Sequence, residues 1–456
     1  MNFIADKQTL EDLNLLGKYK PHSIYSLFNQ VKTAGGERAL DEMFRSPLMD
    51  PEAINWRSSV FRYFQQKQLQ FPFRPETFSS AENYLQMSSH GNLIIAYGSV
   101  MLKKIADHLL GGEQFQHISI SLNVSIGILT SLKQFIDNLE TEKDNPYKDE
   151  LAIFSNFFAD QRLKWLSEQR HTKALTTLQI VKYDYLLRHT LRNQIAQLLE
   201  RIYYLDVYIA IADVARLRNF SYAKALPKAL NKFSTEALRH PAIEKGIANP
   251  MHFDNGSNLL FLTGANMAGK STLMKAFGIA VYLAHMGFPV AAKDMTFSVR
   301  DGIYSSINVP DNLNLGLSHF YAEVLRVKKV AEDVSSGKDL VVLFDELFKG
   351  TNVKDAYDGT LAVTEAFARY KNCFFIVSTH IIEVGDTLKR RATHIRLSYL
   401  TTLMEGTTPK YTYQLAPGIS SDRQGMMIIQ NEGILELIER YPSSGKVNQK
   451  IAPSPS

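Results

Sequence analysis

Up to about Pro241 the apolar residues of this chain recur three and four positions apart, the spacing that places them on one face of a helix. Beyond that point short runs rich in β-branched and aromatic residues, "LLFLTG", "LVVLFDE" and "CFFIVSTH", alternate with helix-like segments. The change predicts an all-α region over 1–240 and an α/β region over 241–441. The strongest helical signal is Leu187, Leu191, Ile195, Leu198, Ile202, Leu205, Ile209 and Ala212, in steps of three or four. At ~1.5 Å per residue this is a rod of roughly 38 Å. Two readings fit it: a lever leading into the second half, or one long helix of an ordinary bundle. The stretch "ETEKDNPYKDE", Glu140 to Glu150, reads as a solvated loop. From Pro442 the tail "PSSGKVNQKIAPSPS" is too poor in apolar residues to fold and is expected to be disordered.

The nearly apolar run from Phe277 to Ala292 is broken by His285, Gly287 and Pro289. It falls short of the roughly 20 residues a membrane helix needs, and reads as a buried helix running into a strand. With 456 residues, 45% hydrophobic and 21% charged, the composition is that of a soluble protein of two or three domains without membrane segments. The single cysteine excludes an internal disulfide and a Cys-rich metal site, and Cys373 lies in an apolar run where a buried, inert thiol is expected. The N-terminal "MNFIADKQTLEDLN" has charges where an export signal needs an apolar core, so a reducing, cytoplasmic setting is expected. A net charge of +5 tolerates a polyanionic partner without requiring one.

Chemistry enters with "GANMAGKST". The fixed elements of a Walker A loop fall at Gly264, Gly269, Lys270 and Ser271, after a strand-like run and before a helix-like one. The glycines let backbone amides cradle phosphate, Lys270 reaches the terminal phosphates of ATP, and the Ser271 hydroxyl binds Mg²⁺. "DLVVLFDE" is an apolar strand ending in two acids, which an open parallel sheet delivers to the phosphates. Asp345 then belongs to the Mg²⁺ shell and Glu346 orients or deprotonates the attacking water; the bland reading is a pair of surface carboxylates. "FFIVSTH" ends in His380, either a γ-phosphate sensor or a structural histidine. This order of elements resembles that of ATP-binding-cassette ATPases, which calls for a signature serine completing the site of a facing subunit. Ser318 in "LNLGLSHFYAEVLRV" stands where a helix starts; without that resemblance it would be an N-cap.

These residues together resemble the MutS family of DNA mismatch-repair ATPases. That family's loop reads roughly TGPNMGGKST, and "TGANMAGKST" keeps its Asn266-Met267. Its signature reads near GRSTFMVE against "GLSHFYAE", and "DELFKGTNVKDA" is similar to its DE(I/L)GRGT segment, which places Thr351 and Asn352 in the loop between the two sites of a dimer. "LRHPAIE" with Ala248 to Pro250 resembles the opening of the family's ATPase domain, and "YQLAPGISSDRQG" the stretch before its C-terminal dimerisation helices. "SIYSLFNQVKTAGGERALDEMFRSPLMDPEAI" looks like the start of its core or lever domain. The resemblance implies an α/β P-loop NTPase of the cassette type behind an all-α lever domain. It also implies nucleotide contacts from Asn266, Met267 and Thr272 and a homodimer with composite sites, Ser318 acting on the partner's nucleotide.

Departures are equally specific. Ala265 and Ala268 replace proline and glycine in the loop, His319 replaces the signature threonine, and Phe348-Lys349 replace Gly-Arg. The aromatic that stacks on adenine has no counterpart at Gly246-Ile247. The core is expected to begin almost at Met1, without the mismatch-recognition and connector domains or the Phe-x-Glu wedge. Any DNA clamp is confined to Pro146–Thr190, where the basic residues and Trp165 of "DQRLKWLSEQRHTK" either touch phosphates or form a solvated amphipathic helix. The expected function is ATP-dependent DNA repair, selective for DNA structure more than for mismatches, together with repair partner proteins. The alternative is a nucleotide-gated scaffold that does not bind DNA.

Overall fold

The computed structural model describes the chain except residues 1, 18–19, 21, 88–91, 111, 140–144, 169–174, 266, 308–318, 393, 407, 421–428 and 440–456. The expected disorder of 442–456 therefore lies outside the described residues.

The helical signal of the first half produces a bundle built around helix Arg192–Arg218, whose 27 residues give a length of ~40 Å. Every position of the predicted stripe is buried, from Leu187 to Ala212. The helix is not continuous over it: Leu186–Thr190 forms a π-helical turn, and the regular helix begins after it. From Leu205 to Ala212 every residue is buried, because helices Ala34–Arg45 and Pro51–Lys67 pack on one side and strand Pro289–Val290 of the α/β half on another. A long helix buried on its apolar face is what both readings require. Its close packing explains "AGG": a Cβ on Gly35 would stand 2.3 Å from the Tyr203 ring, and one on Gly36 2.6 Å from the Asp206 carboxylate. Buried Asp206 accepts from the Lys32 and Thr33 N–H groups and from Thr33 Oγ1, the N-cap of Ala34–Arg45.

Two sequence readings change. The segment around Glu140–Glu150 is not a solvated loop where it is described: Asn145 and Tyr147 are buried and Lys148 starts a helix, because the Tyr147 ring packs edge-on against Phe64 and Tyr208. Where it is described, "DQRLKWLSE" is not one amphipathic helix but a 3-10 turn, Gln161–Leu163, followed by the short helix Trp165–Glu168. Trp165 stacks on Tyr183 with ring centroids 3.6 Å apart, and Arg162 pairs with Asp160 at the surface. Among the described residues one helix, Gln114–Leu139, is long and apolar enough to cross a membrane. Its Leu122, Ile126, Leu129, Leu132 and Ile136 are buried at helical spacing against the bundle.

Strands begin at Ser221, some way before residue 240. The main sheet has the order Thr408–Pro417, Ile395–Glu405, Leu259–Thr263, Phe374–Ser378, Leu340–Asp345, Gly302–Ser306. Its five inner and far-edge strands are parallel, and the Ile395–Pro417 hairpin adds the first strand antiparallel. The strands at 259–263 and 374–378 are buried at every position, as continuous apolar runs in a covered parallel sheet must be. Helix Lys270–His285 runs into strand Pro289–Val290, both almost wholly buried, as the run from Phe277 to Ala292 predicts. A second, four-stranded sheet (Lys224–Leu226, Thr296–Ser298, Phe233–Leu238, Asn249–Phe253) flanks the first. Cys373 is fully buried, and burial pushes its thiol up to about 11.

Candidate nucleotide-binding site

Leu259–Thr263 is parallel to both neighbours, so the chain leaves it at the sheet edge where open α/β sheets hold ligands. Gly264 has φ +139 and Gly269 φ +97, values that a side chain would strain. Between them Met267 has φ +71 and is 76% exposed, standing out from the loop. Asn266 lies outside the described residues. Lys270 opens helix Lys270–His285, whose first N–H groups are unclaimed within the helix and point at the loop. The Lys270 side chain is buried, and its Nζ donates to the carbonyls of Gly264 at 2.8 Å and Ala265 at 3.1 Å. Burial lowers its pKa, opposed by the charges of Asp345 and Glu346. A helix N-terminus and an ammonium converging on a loop make an anion site.

The hydroxyl of Ser271 donates to Asp345 Oδ2. Asp345 closes strand Leu340–Asp345, and its Oδ1 is buried with no hydrogen-bond partner among the described residues. An unpartnered carboxylate oxygen beside a hydroxyl fits Mg²⁺, which takes few protein ligands and completes its shell with water and phosphate oxygens.

Glu346 follows at φ +53, its N–H donating to the Ser378 carbonyl at 2.9 Å. A non-glycine residue held there is strained, and such residues gather at functional sites. His380 reaches the same place from the next strand: its Nδ1 stands 4.0 Å from Glu346 Oε1, beyond hydrogen-bond range, and the imidazole is exposed. Phe348, which replaces a glycine of the resembling motif, keeps a glycine-like φ of +62 and is held by packing: its ring lies 6.0 Å from Phe320 and against Gly359. Asn352 caps helix Val353–Phe367. Ser318 lies outside the described residues; helix His319–Ser335 begins directly after it.

The sequence reading missed the residues beside the loop. A cavity of about 440 Å³ is lined by Met267, Gly269, Thr272, His240, Ile247 and Tyr413. A Cβ on Gly269 would stand 3.0 Å from the Tyr413 ring. An aromatic side chain thus reaches the cavity from a strand far along the chain, where no local signal marks it. Burial, with a contribution from Lys275, lowers His240 to about 4, so its ring is neutral at physiological pH. A larger cleft of about 850 Å³, between residues 22–32 and 206–218 of the helical half, contains none of these groups.

Residues 8–216 match the family model of MutS domain III and residues 260–441 that of MutS domain V. The chain belongs to the MutS family. Domain V is the ATPase domain of MutS, and the loop, Asp345, Glu346 and His380 all fall within it. The chain is 25% identical over 412 residues to the DNA mismatch repair protein spellchecker 1 of Drosophila melanogaster, covering 86% of this chain and 40% of that protein. It is 23% identical over 529 residues to the DNA mismatch repair protein MutS of Petrotoga mobilis, covering 95% and 64%. Against the MutS protein of Anaplasma phagocytophilum identity is 32% over 232 residues, half of this chain and 28% of the relative. The chain thus spans less than two thirds of the length of these MutS relatives.

Proposed function

We propose that this MutS-family chain is a cassette-type P-loop ATPase that binds ATP with Mg²⁺, hydrolyses it at composite sites of a homodimer, and couples nucleotide state to its helical half. The observation that carries the reading is the meeting of Lys270, the Ser271–Asp345 pair and Glu346 at neighbouring strand ends. The loop amides and Lys270 hold the phosphates, with Lys270 exchanging its two carbonyl bonds for phosphate oxygens. Ser271 and Asp345 would hold the metal, which would supply positive charge to screen the phosphates. Glu346 orients the attacking water and takes its proton, and His380 stands beside it to contact the γ-phosphate. Met267, Thr272 and Tyr413 line the place for the base, and Asn266 belongs to the loop that precedes them. Ser318 completes the facing subunit's site.

In this reading the helical region over 1–240 and the ATPase region over 241–441 act as lever and motor in a cytoplasmic protein, with DNA met mainly through phosphate contacts and selected by structure. The test is equilibrium binding of fluorescent ATP and ADP to the full chain with Mg²⁺. Saturable binding is expected, and Lys270→Ala is expected to abolish it; wild-type affinity in that variant removes the assignment.

A further inference from the structure

The first residues of the helical half lie against the α/β half at three places. Ile4 pairs in parallel with Gly302, through Ile4 N–H to the Asp301 carbonyl and Ile303 N–H to the Ile4 carbonyl, each at 2.8 Å. Phe3 meets the rings of Tyr282 and His285, and Leu13 packs so closely on Gly278 that a Cβ there would stand 2.9 Å away. All three partners belong to the helix that opens with Lys270. The third contact is polar. Arg326, on helix His319–Ser335, is buried and donates to both carboxylate oxygens of Asp6, to Thr9 Oγ1 at 3.1 Å and to the Ser305 carbonyl at 2.6 Å. Burial alone would raise the Asp6 carboxyl, but the hydrogen bonds and charge of Arg326 outweigh it and hold it well below the usual range.

Asp12 completes the arrangement: its Oδ2 accepts from Ser305 Oγ at 2.8 Å and from the Ile307 N–H at 2.9 Å. Ile307 and His319 flank the segment that ends in Ser318. Residues 3–13 therefore hold Ile307 before that segment, the helix that follows it at Arg326 and, with the same short piece of chain, the helix of the subunit's own phosphate loop. A buried two-pronged ion pair resists sliding in a way that apolar packing does not.

We propose that residues 3–13 form a strap in which Asp6, Thr9, Asp12 and Arg326 are positioning residues for the element each subunit presents to its partner's nucleotide. The proposal rests on the composite-site reading above, since Ser318 directly precedes the strapped helix. Through the strap, a shift of a subunit's own loop helix reaches the catalytic element it donates, linking the two sites of a dimer without passing through either nucleotide.

Mixed dimers of full-length chains test this. Wild type paired with Lys270→Ala has one working loop, served in trans by the Lys270→Ala subunit. Adding Arg326→Gln to that Lys270→Ala subunit is expected to lower kcat at least about 10-fold, the order of a lost charged hydrogen-bond pair, with KM for ATP unchanged. Placing Arg326→Gln in the subunit with the working loop is expected to leave kcat within about two-fold, while Arg326→Lys on the serving subunit restores part of the loss. Asp12→Asn on the serving subunit is the second variant should Arg326→Gln fail to fold, with the same trans-only loss expected. Equal loss in both placements, or no loss in trans, overturns the strap. Ser318→Ala on the serving subunit is the control: if it leaves kcat unchanged, the composite site itself is wrong and the strap falls with it, whereas a loss there with none from Arg326→Gln or Asp12→Asn sinks the strap alone.

Discussion

Asn249 holds Tyr413 by its backbone: Nδ2 donates to the Tyr413 carbonyl at 2.9 Å while Oδ1 accepts from the Leu415 N–H at 2.7 Å. The side-chain amide stands in for a neighbouring strand where the Ile395–Pro417 hairpin shifts register between Leu400 and Thr402. Tyr413 sits in that irregularity at φ +59 and is turned toward Gly269, the kind of re-aiming a bulge allows. Asn249 belongs to the "ANP" segment that resembles the opening of the family's ATPase domain, and its two bonds give that asparagine a physical role.

Tyr413→Ala is expected to weaken ATP and ADP alike by about 10-fold, as loss of one base–aromatic stack does, with Tyr413→Phe close to wild type. Asn249→Ala is expected to reproduce part of the loss by releasing the bulge. Calorimetric titration with both nucleotides decides it; unchanged affinity in Tyr413→Ala places the base elsewhere.

Asp345→Asn keeps the size of the side chain and removes the charge that its buried oxygen offers to a metal. The Mg²⁺ concentration for half-maximal turnover is expected to rise at least ~10-fold, because outer and inner ligands of such sites contribute on this scale. Chelation by EDTA should stop turnover in wild type. A Mg²⁺ curve that does not move in Asp345→Asn takes the residue out of the metal shell.

Glu346→Gln is expected to bind ATP and hydrolyse it at least ~100-fold more slowly, within the range of a lost general base. ATP-bound dimers should accumulate, visible by light scattering. Unchanged turnover removes Glu346 from the mechanism and leaves its left-handed backbone unexplained.

His285 is fully buried, with Nδ1 bonded to the Val281 carbonyl at 2.8 Å and Nε2 accepting from the Arg300 N–H at 2.9 Å, and burial lowers it to about 4. The folded chain therefore keeps it neutral while the unfolded chain protonates it near 6.5. Stability from this group is whole above pH 6.5 and is lost as pH falls toward 4, on the order of 3 kcal/mol. His240, also lowered to about 4, acts in the same window, whereas Asp6, with its depressed carboxyl, loses its contribution only at still lower pH. Urea midpoints between pH 7 and 4 measure the slope, and His285→Gln, which can donate and accept in the same places, should flatten it. An equal slope in the variant would falsify the assignment.

DNA binding, where it occurs, is expected to weaken steeply with salt and to favour branched over linear duplex, with no more than a few-fold preference for a mismatch. Fluorescence anisotropy on homoduplex, mismatch and four-way junction at two salt concentrations reads this. A strong, salt-resistant mismatch preference refutes it, and no retention on any DNA at low salt favours the scaffold.

The candidate nucleotide site is legible in the sequence because its chemistry is local. Gly264, Gly269, Lys270 and Ser271 are near neighbours in the chain, and Asp345 and Glu346 end an apolar run whose strand character needs no partner to be recognised. What escaped was everything brought from a distance. Tyr413 and Asn249 meet across more than 160 residues of chain, and Arg326 meets Asp6 across 320; neither leaves a pattern at its own position. Tyr147 shows the converse failure: its neighbours are charged and turn-forming, and only the rings of Phe64 and Tyr208 reveal why that stretch turns inward. The long helix was recognised by period, but period alone could not tell a lever from a core element, since both demand the same apolar face.

The rings of Phe28, Phe44 and Phe61 in the helical half converge on Phe288 of the α/β half, with Phe28 also near Phe220 and Phe61 stacked on Tyr222. One continuous apolar core thus runs beneath both family domains. A chain cut after Asn219 would strip Phe28, Phe44 and Phe61 of part of their cover on one piece and Phe288 on the other. The two domain names divide the sequence but not this core, and a gene fragment encoding the ATPase region alone would expose the face of Phe288 that its neighbour had covered.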